Sequence, residues 1–321
     1  MEELKILETR RQFRSGQDAR NIMDISVVIC TKDRCELLQR TIELLAGQNL
    51  PRDKTFEIII VDNNSSDATA QVVRTQQTRS SRPLHYFFEG KSGLSNARNR
   101  GIKESSGDII VFTDDDMIFS DNWLGGIYAA FLSPPAPACV AGPVSIHEDS
   151  HPALKSSFPP GRKRFIFPSE PWDTGRGNNM AFKRKTLLEA GPFDTRLGAG
   201  TRAGSGEDID MFYRILKNGG DILFDPGIEV FHDHGRHDAE SIERICRNYA
   251  IGGTAFLIKY IIRMDLFALK LLFWKYESFR LAWKRSKKDT RFNPPVNKVK
   301  KIYMRGYFSG IARGIADLFK Q

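Results

Sequence analysis

Residues 108–117 read DIIVFTDDDM. The run of four large apolar residues inside 108–112 predicts a strand buried on both faces. Three adjacent aspartates, Asp114, Asp115 and Asp116, follow it directly. Carboxylates crowded at the end of a buried strand are costly unless a cation neutralises them. A strand alternates its side chains, so Asp114 and Asp116 are expected on one side and Asp115 on the other. Few carboxylate oxygens with room for phosphate oxygens suit Mg²⁺ or Mn²⁺. The alternative is an acidic turn that caps the segment after it, since Asp is a good N-cap.

The segments before this strand alternate in type. Residues 25–30 (ISVVIC), 56–61 (FEIIIV) and 84–88 read as strands; 37–46, 69–76 and 96–104 read as helices. Strand–helix alternation predicts an α/β fold with a parallel sheet and right-handed crossovers. In such sheets ligands bind beyond the carboxyl ends of the strands, which is where the aspartates lie. Further along, 139–146 and 179–182 read as strands, 185–190 as a short helix and 208–218 as a helix stopped by Gly219-Gly220. Residues 221–224 and 228–231 suggest two short final strands, and 148–177 form a long Pro/Ser/Gly/Arg-rich stretch of the kind that serves as a substrate loop.

The chain has 321 residues, 40% hydrophobic and 27% charged, which excludes a wholly disordered or collagen-like protein. Cys30, Cys35, Cys139 and Cys246 show no Cys-x-x-Cys spacing, so neither a cysteine zinc site nor a disulfide scaffold is expected, and reduced thiols are the default. The first twenty residues are polar, with no signal peptide. Two apolar stretches fail as membrane spans. Residues 122–146 contain Pro134, Pro135, Pro137 and Pro143, and 254–273 are interrupted by Lys259, Arg263, Asp265 and Lys270.

Charge is unevenly spread. Residues 240–321 carry 18 Lys+Arg against six Asp+Glu, a net of +12 in a chain of +9. A near-neutral body with a basic end points to a polyanionic partner. Lys259, Arg263 and Lys270, spaced by four and seven, fall on one helical stripe among apolar neighbours. That fits an element lying at an anionic membrane surface, and equally a helix packed on the body. A nucleic-acid-binding module would use the same cations on phosphates but leaves the aspartates unexplained, so no nucleic-acid partner is expected. No P-loop, Gly-x-Ser-x-Gly or His-Glu-x-x-His motif occurs.

A set of motifs in fixed order resembles the family-2 glycosyltransferases of the GT-A fold, over about residues 25–234. They are ISVVICTKDR (25–34), IIIVDNNSSDAT (58–69), GLSNARNRGI (93–102), VFTDDD (111–116), GNNMAFKR (177–184), GPFDTRLGAG (191–200), GEDIDMFYRILKNGG (206–220) and FDPGIEVFH (224–232). The resemblance implies a GT-A domain at 24–239 with a mostly parallel sheet; on either side the sequence reads as a polar extension at 1–23 and a basic amphipathic helical region at 240–321. It implies an inverting, metal-dependent transfer from a nucleotide-diphosphate sugar, with UDP favoured, to a saccharide or lipid-linked saccharide. The setting implied is bacterial cell-surface polysaccharide assembly, in the cytoplasm or at the inner face of the membrane.

Residue by residue, the resemblance assigns Thr31 and Asp33 to the nucleoside and Asp62 and Asn63 to base and ribose. Where the family often has a base-binding aspartate this chain has Asn63, so the base stays open. Arg98 is implied at the diphosphate or, alternatively, behind the aspartate cluster. Asp116 is implied as direct metal ligand. Asp114 and Asp115 are implied at ribose, metal or bound water, and His232 completes the shell with His234 as its rival. Asn178, Asn179 and Met180 would floor the sugar pocket, and Trp172 would stack on a sugar ring. Asp208 would be the general base, with Glu207 orienting it or the acceptor. A non-catalytic scaffold of the same fold is the competing reading, against which Asp116, Arg98 and Asp208 are all present.

Overall fold

The computed structural model describes residues 23–146, 158–233, 238–284 and 296–316. His234 and part of the 148–177 stretch lie outside the described residues. The chain begins with β1 (Ile25–Thr31), α1 (Cys35–Ala46), β2 (Phe56–Asp62), α2 (Thr69–Arg79), β3 (Leu84–Phe88), α3 (Leu94–Glu104) and β4 (Ile109–Thr113). These four strands pair in parallel in the order β3-β2-β1-β4. The apolar runs are continuous because both faces are covered. Ile25, Val27 and Ile29 pack with Leu38, Ile42 and Leu45 of α1, while Val28 points the other way, onto Ala97 of α3.

The sheet continues through β9 (Asn179–Lys183), β6 (Cys139–Ala141), β10 (Ile222–Phe224) and β8 (Lys163–Phe165), eight strands in all. β9 runs antiparallel to both β4 and β6, and β8 antiparallel to β10, so the sheet is mostly parallel with reversed members in its second half. A small second sheet joins β5 (Met117–Phe119), β11 (Val230–His232) and β7 (Val144–Ser145).

The single strand expected over 139–146 is two pieces, β6 and β7, in different sheets. The chain turns at Gly142-Pro143, where a Cβ on Gly142 would sit 2.6 Å from the Ile228 carbonyl oxygen. The strand expected over 228–231 starts only at Val230. Residues Pro226–Ile228 form a 3₁₀ turn whose cap, Asp225, accepts from the Gly227 N–H at 2.9 Å. Helix α4 (Trp123–Leu132) falls in an uncharged stretch where no element was expected. Helices α5 (Arg184–Ala190) and α6 (Glu207–Lys217) complete the body.

Beyond the body come α7 (Ala239–Ile261), α8 (Leu266–Lys284) and α9 (Val296–Ala316). Phe256, Leu257, Ala268 and Leu271 share one buried cluster with Leu197, Ala203 and Tyr213 of the body. The expected stripe of Lys259, Arg263 and Lys270 does not exist. Helix α7 ends at Ile261, Met264 adopts φ 61°, and Lys270 belongs to the next helix. Lys259 points inward, 3.0 Å from Asp194 and 2.5 Å from Asp210. Among the described residues no helix is long and apolar enough to cross a membrane.

Candidate active site

The site lies past the carboxyl ends of β1, β2 and β4. Because β1 and β4 are neighbours, the turn after one meets the aspartates after the other. Thr31 Oγ1 donates to Asp115 Oδ2 at 2.7 Å. Arg34 Nη1 reaches both Asp115 Oδ1 at 3.0 Å and Asp116 Oδ2 at 2.8 Å. Thr41 Oγ1 of α1 donates to the Asp115 carbonyl at 2.9 Å, fixing the turn from below. Burial pushes the Asp115 carboxyl up to about 6 despite the opposing Arg34 charge and Thr31 hydrogen bond. Burial, then the neighbouring Asp116 charge, raises Asp114 too. A cluster whose carboxyls are held above their usual range is stabilised by an added cation.

β11 supplies the third group. Its register sets His232 opposite Met117, so the imidazole Nε2 stands 2.9 Å from Asp116 Oδ1. Asp114, Asp116 and His232 each offer a ligand atom, all within 4.8 Å of one another. Two hard oxygens with one imidazole nitrogen fit Mn²⁺, and also Mg²⁺ completed by phosphate oxygens.

The nucleoside-side residues form a tight local web. Asp33, in a left-handed conformation (φ 53°), accepts from the Ser66 N–H at 2.6 Å. Asp62 accepts from the Ser65 N–H at 2.8 Å and the Tyr86 hydroxyl at 2.7 Å. Asn63 is bound to the loop that follows β3. Its Nδ2 donates to the carbonyls of Glu89 and Lys91, and its Oδ1 accepts from the Gly93 N–H at 2.8 Å. A buried amide must be satisfied, and here the loop over 89–93 takes both its ends.

Opposite the aspartates, α6 opens with Glu207-Asp208 behind Gly206, which holds φ +97°. Arg98 is buried. Its Nη1 donates to Glu207 Oε1 at 2.7 Å, its Nη2 to the Gly177 carbonyl at 2.9 Å, and its guanidinium lies over the rings of Phe112 and Phe193. The Gly177 N–H in turn donates to Asp208 Oδ2 at 2.8 Å. Burial, with the adjacent Asp208 charge, pushes Glu207 up to about 7 against the pull of Arg98. The register of β4 with β9 pairs Thr113 with Asn179. Asp114 and the Gly177-Asn178 pair therefore leave the sheet at one place, which brings Asp208 to the aspartate cluster.

Three expected pocket residues are elsewhere. Asn179 is buried, donating to the carbonyls of Pro143 and Ile228 and accepting from Trp123 Nε1. Met180 faces the core with Phe112 and Phe182. Trp172 is a packing residue. Its ring meets Phe256 edge-on at 6.3 Å, Lys275 Nζ lies 4.6 Å over its face, and its Nε1 donates to Glu170. Only Asn178 stays at the site, with Nδ2 3.8 Å from Met117 Sδ.

Two contributors escaped the sequence reading. Arg34 ends the first motif, and only the pairing of β1 with β4 reveals its partners. The loop before α6 meets α7 backbone to backbone. An added Cβ on Gly206 would lie 2.7 Å from the Gly252 carbonyl oxygen, and one on Gly252 would lie 2.1 Å from the Ser205 carbonyl oxygen.

The family model for glycosyl transferase family 2 matches residues 26–190. A validoxylamine A glucosyltransferase of Streptomyces hygroscopicus is 30% identical over 61% of this chain and 52% of its own length. The succinoglycan biosynthesis protein ExoM of Rhizobium meliloti is 29% identical over 64% of this chain and 65% of its own. The chain thus spans about half to two thirds of the length of these relatives. Among solved structures, the mannosyltransferase PcManGT of Pyrobaculum calidifontis, in complex with GDP-Man and Mn²⁺, aligns with a TM-score of 0.55 at 18% identity. That alignment covers 98% of this chain and 81% of the other. S. aureus TarS residues 1–349 in complex with UDP-GlcNAc gives 0.55 at 18% identity, over 72% of this chain and 66% of the other.

Proposed function

The chain belongs to glycosyl transferase family 2, and we propose that it moves a sugar, with inversion, from a nucleotide-diphosphate donor to a hydroxyl acceptor. The observation that carries this reading is the bridge through Gly177, which sets Asp208 beside the Asp114–Asp116–His232 cluster. Mn²⁺ or Mg²⁺ held by Asp114, Asp116 and His232 would supply positive charge to the diphosphate as it departs. Arg34 fixes the ligand carboxylates, and the turns carrying Thr31, Asp33 and Asp62 shape the nucleoside end. Asp208 takes the proton of the acceptor hydroxyl as its oxygen attacks the anomeric carbon. The bond from that carbon to the diphosphate oxygen breaks with its electron pair, on the face opposite the attack, in one displacement.

Glu207 is pushed up to about 7, yet it is buried with one oxygen held by Arg98, so in this reading it orients the site and Asp208 meets the acceptor. Geometry ranks before proton affinity in choosing a base. UDP is the favoured carrier, in keeping with the UDP-GlcNAc complex of TarS, and a saccharide or lipid-linked saccharide is the acceptor. ExoM, by its name a succinoglycan biosynthesis protein, supports a place in surface-polysaccharide or glycolipid assembly.

The test is Asp208→Asn against Glu207→Gln. Loss of a general base costs about 10² to 10⁴ in rate, so Asp208→Asn should lower transfer by at least about 10² with near-normal donor binding by calorimetry. Glu207→Gln should cost less. The reverse ranking moves the base to Glu207, and product that keeps the donor's anomeric configuration by proton NMR excludes a single displacement.

A further inference from the structure

Helix α8 is apolar on both sides. Its inner side, Ala268 and Leu271, is fully buried, and Phe267 stacks on Tyr213. Its outer side carries Leu266, Leu269, Lys270, Phe273 and Trp274, at the i, i+3, i+4, i+7, i+8 spacing of a single helical face. Four of these five are large and apolar, and they stand 74%, 49%, 60% and 38% exposed for Leu266, Leu269, Phe273 and Trp274. Ile262 and Met264, in the turn just before the helix, are exposed apolar residues as well. A row this long is not the scattered exposure of ordinary surfaces.

The charges on this surface have one sign. Arg263 and Lys270 are exposed, and Lys270 Nζ lies 4.3 Å over the Trp274 ring. The nearby Asp265 is turned inward, taken by the Tyr213 hydroxyl at 2.8 Å and Lys217 at 3.0 Å. Glu277 is engaged by Arg280. A second copy meeting this face about a two-fold axis would bring cations against cations, with no carboxylate on the face to pair them. An anionic bilayer supplies what the face lacks: hydrocarbon for Leu, Phe and Trp, and negative headgroups for the two cations. From Leu266 to Trp274 the row is about 12 Å long, too short to span and suited to lying in the interface.

We propose that the outer face of α8, with the 262–264 turn, is the surface by which this protein lies on an anionic lipid bilayer. The inner side of the same helix reaches the acceptor-side loop, since Lys275 covers Trp172, five residues before Gly177. Seated this way, the molecule holds that loop one helix thickness, roughly 10 Å, above the bilayer surface, within reach of a saccharide carried on a lipid. This last step rests on the transferase reading; the docking itself does not.

The full chain is sedimented with vesicles of phosphatidylcholine alone or mixed with phosphatidylglycerol. It should pellet with the anionic vesicles and not the neutral ones. Arg263→Gln with Lys270→Gln should lower partitioning about 30-fold, at about 1 kcal/mol per cation. Phe273→Ser with Trp274→Ser should lower it by at least about tenfold. Unchanged binding of both double variants, or equal pelleting with neutral vesicles, overturns the proposal. So does a dimer in sedimentation velocity that dissociates in the Phe273→Ser/Trp274→Ser variant, which would give the face to a second copy. Hydrolysis of UDP-glucose or GDP-mannose without vesicles separates the two readings. Both double variants should hydrolyse as the wild type does, and failure of hydrolysis in every form would strike the transferase reading while leaving vesicle binding intact.

Discussion

Gly177 holds the two halves of the site together with a carbonyl on Arg98 and an N–H on Asp208. A methyl group there would come within 2.8 Å of Arg98 Nη2 and 3.0 Å of Asp208 Oδ2. Gly177→Ala should therefore displace the base and lower transfer about 10²-fold, with donor affinity by calorimetry nearly unchanged. Arg98→Met leaves Glu207 buried beside Asp208 without its cation. It should cost about 3–5 kcal/mol of unfolding free energy, read from the shift in the denaturant midpoint, the usual penalty for breaking a buried pair from one side. Removing the metal with EDTA, or Asp116→Asn, should abolish transfer, and Mn²⁺ titration calorimetry should show the site lost in the variant; full turnover after chelation would refute the metal role. At this scale, residue types at motif positions pointed to Asp114, Asp116, His232, Glu207 and Asp208, which the fold brings to one end of the sheet. Arg34, Asn63 and Asn179 were not legible in their observed tasks. Each acts through partners 26 to 81 positions away, which only strand order and loop packing bring near: Arg34 through Asp115, Asn63 through Glu89, Asn179 through Trp123 and Ile228.

Between elements, α6 is braced by α7. Asp210 accepts from the Tyr260 hydroxyl at 2.8 Å and pairs with Lys259, which also holds Asp194. Burial alone would raise Asp194, but the Arg196 hydrogen bonds and the Lys259 charge hold its carboxyl well below the ordinary value of 3.8. A depressed carboxylate contributes stability in full above its unfolded value, and the contribution drains away as pH falls below it. Asp194→Asn should thus flatten the loss of stability between about pH 4 and 2 in urea titrations, and an unchanged acid limb would show that the pair contributes nothing. Lys259→Met leaves Asp194 and Asp210 facing each other across the gap. It should lower Tm and slow transfer together, because α6 carries Asp208. Buried apolar runs made the strands legible. The broken strand at Gly142-Pro143 and the helix break at Met264 were not, because each depends on tertiary packing rather than on local pattern.

Taken whole, the body and the C-terminal helices share a core: Leu197 and Ala203 of the loop before α6 and Tyr213 of α6 come from one, Phe256, Leu257 and Leu271 from the other. Calorimetry should show one endotherm with equal calorimetric and van't Hoff enthalpies; a separate transition for the helices would mean that they fold on their own. Composition announced the basic end of the chain but not its seat, since net charge says nothing about which lysines turn inward. The contact of Gly206 with Gly252 has a consequence for building chimaeras. Exchanging the helices of one relative for those of another is an obvious route to a new acceptor preference. In this fold the exchange meets a close backbone contact at Gly252, beside the side-chain pairs that brace α6 on α7. A graft that brings any side chain to the position of Gly252 pushes against the peptide just before Glu207, and so moves the base it was meant to serve. Keeping that glycine is one condition for a graft that leaves the proposed base where it stands.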